Sequence, residues 1–91
     1  MELAKCRARI DEVDLQLLAL LNQRTHIAAE IGRIKQSANM PVYEPKREDL
    51  VYQNVTANNE GPLPNEAVRR VFERIIDEMR KVQRDRMEQN A

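Results

Sequence analysis

Three aromatic side chains among 91 residues, with no tryptophan, cannot build a ring-filled core, so the interior must be made of Leu, Ile, Val, Met and Ala. That composition favours helices. A single cysteine, Cys6, has no partner for a disulfide, and the lone His26 has no ligand-spaced company, so a structural metal and a secretory disulfide framework are both poorly supported. The two are read instead as a small core residue and a surface imidazole. There is no excess charge of either sign, for 15 basic and 15 acidic residues cancel and are interleaved rather than blocked. Nothing tracks a phosphate backbone, and nucleic acid is not an expected partner. No apolar run approaches the roughly 20 residues of a membrane span. The opening MELAKCRARIDEVD alternates charge and has no apolar signal region. These absences describe a soluble cytoplasmic protein of one small domain, residues 1–91.

What is present is helical periodicity broken twice. No proline precedes Pro41, and the only early glycine, Gly32, comes near the end of the pattern, so a first helix is expected over residues 3–37. Its apolar stripe is Leu3, Cys6, Ile10, Val13, Leu17, Leu20, Ile27, Ile31 and Ile34. At 1.5 Å per residue it is about 50 Å long, whereas a compact chain of this size has a radius of gyration of about 12 Å. The helix must therefore project beyond any core the chain builds alone, and its stripe needs a second chain to cover it. SANMP breaks the pattern. A short helix over residues 45–57 follows, with Pro45 at its first position and Leu50, Val51 and Val55 inward. NNEGPLPN is the second break, and a third helix over residues 65–85 has Asn65 available as a cap and a stripe of Val68, Val71, Phe72, Ile75, Met79 and Val82. The tail RDRMEQNA is expected to fray. The fold class is all-α, three helices per chain.

Some polar residues interrupt this arrangement. Arg24 occupies the gap in the first stripe between Leu20 and Ile27, and Lys35 follows it by eleven residues, three turns plus about 20°, so both cations look out of one face. Arg24 either neutralises a carboxylate across a helix interface or faces a cavity built for an anion. Glu44-Pro45-Lys46-Arg47-Glu48 puts charged side chains and free N–H groups at a helix start, which is either an anion-holding end or a solvated first turn. Phe72, Ile76, Met79 and Gln83 share a face of the third helix, so Gln83 brings a neutral donor to the edge of an apolar wall. No nucleophile–base pair, phosphate loop or metal constellation accompanies them, and no cofactor is expected. Such a cluster suits chemistry that needs positioning and charge stabilisation without a covalent step.

CRARIDEVD, LLALLNQR, EIGRIK, PVYEPKRED and VFERIIDEMRKVQ, in that order and spacing from Cys6 to Gln83, together resemble the all-helical bacterial chorismate mutases. The resemblance implies an intertwined homodimer with two sites, each rearranging chorismate to prephenate in the branch toward Phe and Tyr. It also implies roles. Arg24 binds one substrate carboxylate, and Arg7 crosses from the other chain to the second. Lys35 and Gln83 donate to the ether oxygen, Glu48 accepts from the ring hydroxyl, and Arg47 lines the same pocket. Glu44 stands where the family often has Asp, and Met79 where it often has a small or hydroxylated residue; both positions contact substrate. An isochorismate-pyruvate lyase of the same fold and a non-catalytic helical dimerisation module are the rival readings.

Overall fold

A computed structural model describes residues 2–89. Three helices account for nearly all of them: α1 (Glu2–Ser37), α2 (Pro45–Ala57) and α3 (Asn65–Gln89), with no strand among the described residues. The 36 residues of α1 reach about 54 Å at 1.5 Å per residue, which accounts for the 55 Å long axis of the molecule and its radius of gyration of 16.3 Å. α3 packs on the C-terminal half of α1 and also carries α2, so it is the element through which the other two are related. None of the helices described is long and apolar enough to cross a membrane.

The face of α1 that meets α3 is not its aliphatic stripe. Its buried positions are Ala28, Ala29, Gly32 and Lys35, whereas Leu3, Ile10, Val13, Leu17, Leu20, Ile27, Ile31 and Ile34 are all exposed, Leu20 at 61%. Cys6, expected as a small core residue, is exposed on the same uncovered half of the helix. Small side chains let two helix backbones approach closely, and Gly32 shows how closely. A Cβ built there would stand 3.0 Å from the Gln83 Cα and 3.2 Å from its carbonyl oxygen. The long aliphatic side chains are left to face outward, an uncovered strip running most of the length of α1.

The ends of the helices follow local chemistry. α1 stops in a Schellman turn, with Asn39 in the left-handed region at φ 56°, the Met40 N–H bonded to the Lys35 carbonyl at 2.8 Å and the Asn39 N–H to the Gln36 carbonyl at 3.2 Å. α2 starts after Glu44 with Pro45 in its first turn, as expected. Of its expected inward residues Val51 and Val55 are half-buried, but Leu50 is 55% exposed, and the most buried residue is Tyr52, which shares the face turned to α3 with Glu48 and Val55. Asn59 organises the second connection, donating to the Leu63 carbonyl and to Asn65 Oδ1 at 2.7 Å each and accepting from the Gly61 N–H. Asn65 is thereby held by a loop residue, while the Pro64 carbonyl accepts the first helical N–H groups of α3. On α3 the seam is Val68, Ile76, Met79 and Gln83, with Val71 turned out to 50% exposure. The expected fraying does not extend through the segment that is described. α3 stays helical to Gln89, and Gln36 Nε2 donates to the Met87 carbonyl at 3.0 Å, tying the last turns to α1.

Candidate active site

Between the C-terminal half of α1, the first turn of α2 and the middle of α3 lies a cavity of about 420 Å³, within the range of small-molecule sites. Arg24, Ala28, Ile31 and Lys35 line it from α1, so the eleven-residue register does bring both cations to one face. Glu44, Arg47 and Glu48 enter from the start of α2, and Met79 and Gln83 from α3. Of the residues given a part in the site by the resemblance, Arg7 alone lies elsewhere. It is exposed on the N-terminal half of α1, about 25 Å along the helix axis from Arg24 by rise alone.

Lys35 is the best-held charge in the site. Its side chain is 7% exposed, and Nζ donates to the Val42 carbonyl at 2.9 Å and to Gln83 Oε1 at 2.9 Å and pairs with Glu44 Oε1 at 2.8 Å. An ammonium has three N–H bonds, and all three have acceptors. The Schellman turn makes this possible, because it folds the chain back immediately after α1 and brings the Val42 carbonyl and Glu44 over the helix end. Glu44, at the N-cap of α2, makes no capping hydrogen bond with its side chain, which is instead spent on Lys35.

Gln83 is buried beside it, and its orientation follows from its partner. A lysine can only donate, so the amide oxygen faces Nζ and the Nε2 donors are free for another acceptor. Gly32 is what admits Gln83 to this position. Met79 is buried in the same wall, its Sδ 3.6 Å from Thr25 Oγ1.

Arg24 and Arg47 set the charge of the cavity. Burial, and after it the positive charge of Arg47, holds the Arg24 guanidinium below its ordinary pKa. Neither has a carboxylate within 4.0 Å among the described residues, so within this chain the internal ion pair considered for Arg24 is not formed. The cavity lining carries four cations, Arg24, Lys35, Arg47 and Arg80, against two carboxylates, Glu44 and Glu48. Lys35 takes Glu44 and Arg80 takes Glu48, which leaves a surplus of two positive charges on the two arginines.

Arg80 was not among the residues the sequence singled out. Its Nε and Nη2 grip both oxygens of Glu48 at 2.7 and 3.2 Å, and the hydrogen bond to Glu48 is the main cause that raises its pKa above the ordinary arginine value. The signal was available: Arg80 is four residues after Ile76 and three before Gln83, on the same face as both. No group of metal-ligating side chains occurs among the described residues.

The arrangement thus offers two carboxylate-free guanidiniums, a charged and a neutral donor side by side, and one oriented carboxylate. It suits a small dianion whose reaction develops negative charge at one atom. The comparisons agree. The chain is 37% identical over 79 residues to the bifunctional chorismate mutase/prephenate dehydratase of Aquifex aeolicus, covering 82% of this chain and 22% of that protein. It is 40% identical over 78 residues to the protein of the same name from Neisseria gonorrhoeae, covering 86% and 21%. The chain therefore spans about a fifth of the length of these relatives. Among solved structures it is similar to the chorismate mutase of Thermus thermophilus in its Form II, with a TM-score of 0.90 at 32% identity over 92% of this chain and 96% of that one. It is also similar to the Helicobacter pylori chorismate mutase in complex with prephenate, with a TM-score of 0.88 at 31% identity over 94% and 93%. The family model for chorismate mutase type II matches residues 6–84, and the chain belongs to that family.

Proposed function

We propose that this chain is a chorismate mutase, converting chorismate to prephenate by an intramolecular [3,3] rearrangement on the route to Phe and Tyr. The observation that carries the reading is the pairing, in one cavity, of a surplus of two guanidinium charges with the Lys35–Gln83 donor pair. Chorismate is a dianion, and a pocket with surplus positive charge attracts it. The reaction breaks the ether C–O bond and forms a C–C bond within one molecule by a cyclic shift of six electrons, so no proton, nucleophile or cofactor is consumed. What it requires is a folded conformer and stabilisation of the negative charge growing on the ether oxygen.

The residues divide along those two needs. Arg24 holds one carboxylate, and Arg47 adds positive charge to the same pocket. Lys35 Nζ and Gln83 Nε2 donate to the ether oxygen, where their bonds strengthen as the C–O bond stretches. Glu48 accepts from the ring hydroxyl. Glu44 and Met79 complete the wall around the substrate.

The second carboxylate is assigned to Arg7 of a partner subunit. The distance along α1 takes each chain's own Arg7 out of reach, and the uncovered aliphatic strip on α1 is the surface a second copy would bury. The working unit is then a homodimer of intertwined α1 helices with two shared sites. A cytoplasmic location fits a biosynthetic enzyme of this kind.

The test is to incubate purified protein with chorismate and, separately, with isochorismate. Prephenate from chorismate is the expected product. Pyruvate release from isochorismate without prephenate formation would make the chain a lyase of the same fold, and no product from either would make it a binding module.

A further inference from the structure

Glu48 enters the site from the first turn of α2, and a glutamate there has freedom about three side-chain torsions. In this chain that freedom is removed from outside the helix. We infer that Arg80 is the positioning residue for Glu48, and that through it α3 sets the preference of the site for a substrate bearing a ring hydroxyl. The inference rests on the reading of Glu48 as the hydroxyl acceptor.

The geometry is that of a fork on a fork. Arg80 Nε donates to Oε2 at 2.7 Å and Nη2 to Oε1 at 3.2 Å, so the plane of the carboxylate is fixed as well as its distance. Arg80 is itself held. Its Nη1 donates to Asp77 Oδ1 at 2.9 Å, one turn earlier on α3, and its guanidinium lies over the Tyr43 ring at 5.5 Å from the centroid. The Arg80 and Glu48 side chains are 24% and 15% exposed, whereas the partners in the Arg74–Glu78 pair on the outer face of α3 are 70% and 44% exposed. A pair so placed is ordered where a surface pair is not.

Charge separates Arg80 from the anion-binding arginines. Arg24 and Arg47 face the cavity without carboxylates, but Arg80 has two, Glu48 and Asp77, and has committed N–H groups on all three of its nitrogens to them. Its charge is already balanced by these two carboxylates, so it adds no surplus to draw a substrate anion. Each Glu48 oxygen, however, retains a second lone pair, so a carboxylate gripped by Arg80 still accepts a hydroxyl. Arg80 therefore acts through Glu48 and not on the substrate, and an arginine is needed because a lysine, a point charge, cannot fix the plane of the carboxylate.

The experiment is a double-mutant cycle read in kcat and KM for chorismate, using wild type, Arg80→Met, Glu48→Gln and the double variant, with folding checked by circular dichroism. Arg80→Met should lose on the order of ten- to a hundredfold in kcat/KM, the scale of a misplaced contact. In the Glu48→Gln background the same change should cost less than about threefold, because its target is already gone. Arg80→Lys, which keeps the charge and protects the fold, should recover only part of the loss. An analogue of the same dicarboxylate enol ether frame lacking the ring hydroxyl should be rearranged equally by wild type and Arg80→Lys. An undiminished cost of Arg80→Met in the Glu48→Gln background, or an equal loss on the hydroxyl-free analogue, would show that Arg80 acts on its own and overturn the inference while leaving the mutase reading intact. Failure of the wild type itself to rearrange chorismate would remove both.

Discussion

Lys35 Nζ lies 2.9 Å from Gln83 Oε1, a contact that sets a charged and a neutral donor side by side in the cavity. It turns the Gln83 amide so that Nε2 is free, and it joins α1 to α3 at the point where Gly32 lets the two backbones come closest. Gln83→Glu should therefore give an enzyme with a new pH dependence. A neutral glutamic acid can still donate through its O–H, whereas the ionised form offers only lone pairs, binds Lys35 as an ion pair and repels the growing charge on the ether oxygen. Activity is present below the pKa of the introduced carboxyl and lost as pH rises through it. Profiles of kcat/KM from acid to neutral pH check this, and a profile parallel to the wild type would take Gln83 out of the chemistry.

Lys35 has no N–H bond to spare, so if it donates to the ether oxygen as proposed, that oxygen displaces one of its three acceptors. Val42 is backbone and Gln83 is buried, which leaves Glu44, 37% exposed, to give way. Glu44→Gln should lower KM for chorismate about threefold to fivefold, roughly the 1 kcal/mol of a half-exposed ion pair. A raised KM would show that the Glu44 carboxylate stays with Lys35 and helps bind substrate.

Gly32→Ala should disturb both the fold and the site. Its Cβ would meet the Gln83 backbone at 3.0 Å, and a backbone atom cannot rotate aside as a side-chain end can. The helices must separate, at a cost of about 1–3 kcal/mol that outweighs the roughly 1 kcal/mol gain in helix propensity. The urea midpoint should fall, and kcat should fall with it because Gln83 moves. A variant more stable than wild type would show that α1 and α3 are less tightly opposed than this geometry requires.

Arg7 and Arg24 lie on one helix but are assigned to different sites. Arg7→Ala and Arg24→Ala chains should each be nearly inactive, while an equal mixture after subunit exchange should recover about a quarter of wild-type activity, since half the dimers are mixed and each has one intact site of two. Sedimentation equilibrium on the same samples should show dimers. A folded monomer at micromolar concentration, or no recovery after verified exchange, would remove the shared site.

Much of this protein can be read from local rules. Periodicity and the breaks at SANMP and NNEGPLPN place all three helices, because proline, glycine and asparagine act within a few residues of themselves. The shared face of Arg24 and Lys35, and that of Met79 and Gln83, follow from 3.6 residues per turn and hold in the folded chain. Periodicity does not say which of two usable faces a helix will bury. α1 carries both a long aliphatic stripe and a short small-residue face, and α3 takes the second because Ala28, Ala29 and Gly32 allow close approach while the stripe remains outward. Nor can spacing reveal pairings that span distant positions. Arg80 and Glu48 are 32 residues apart, and Lys35 and Gln83 are 48 apart. Whether a charge in such a chain is neutralised, spare or committed to holding a neighbour depends on which carboxylate the packing of α2 against α3 brings within reach, a long-range property that no local pattern encodes.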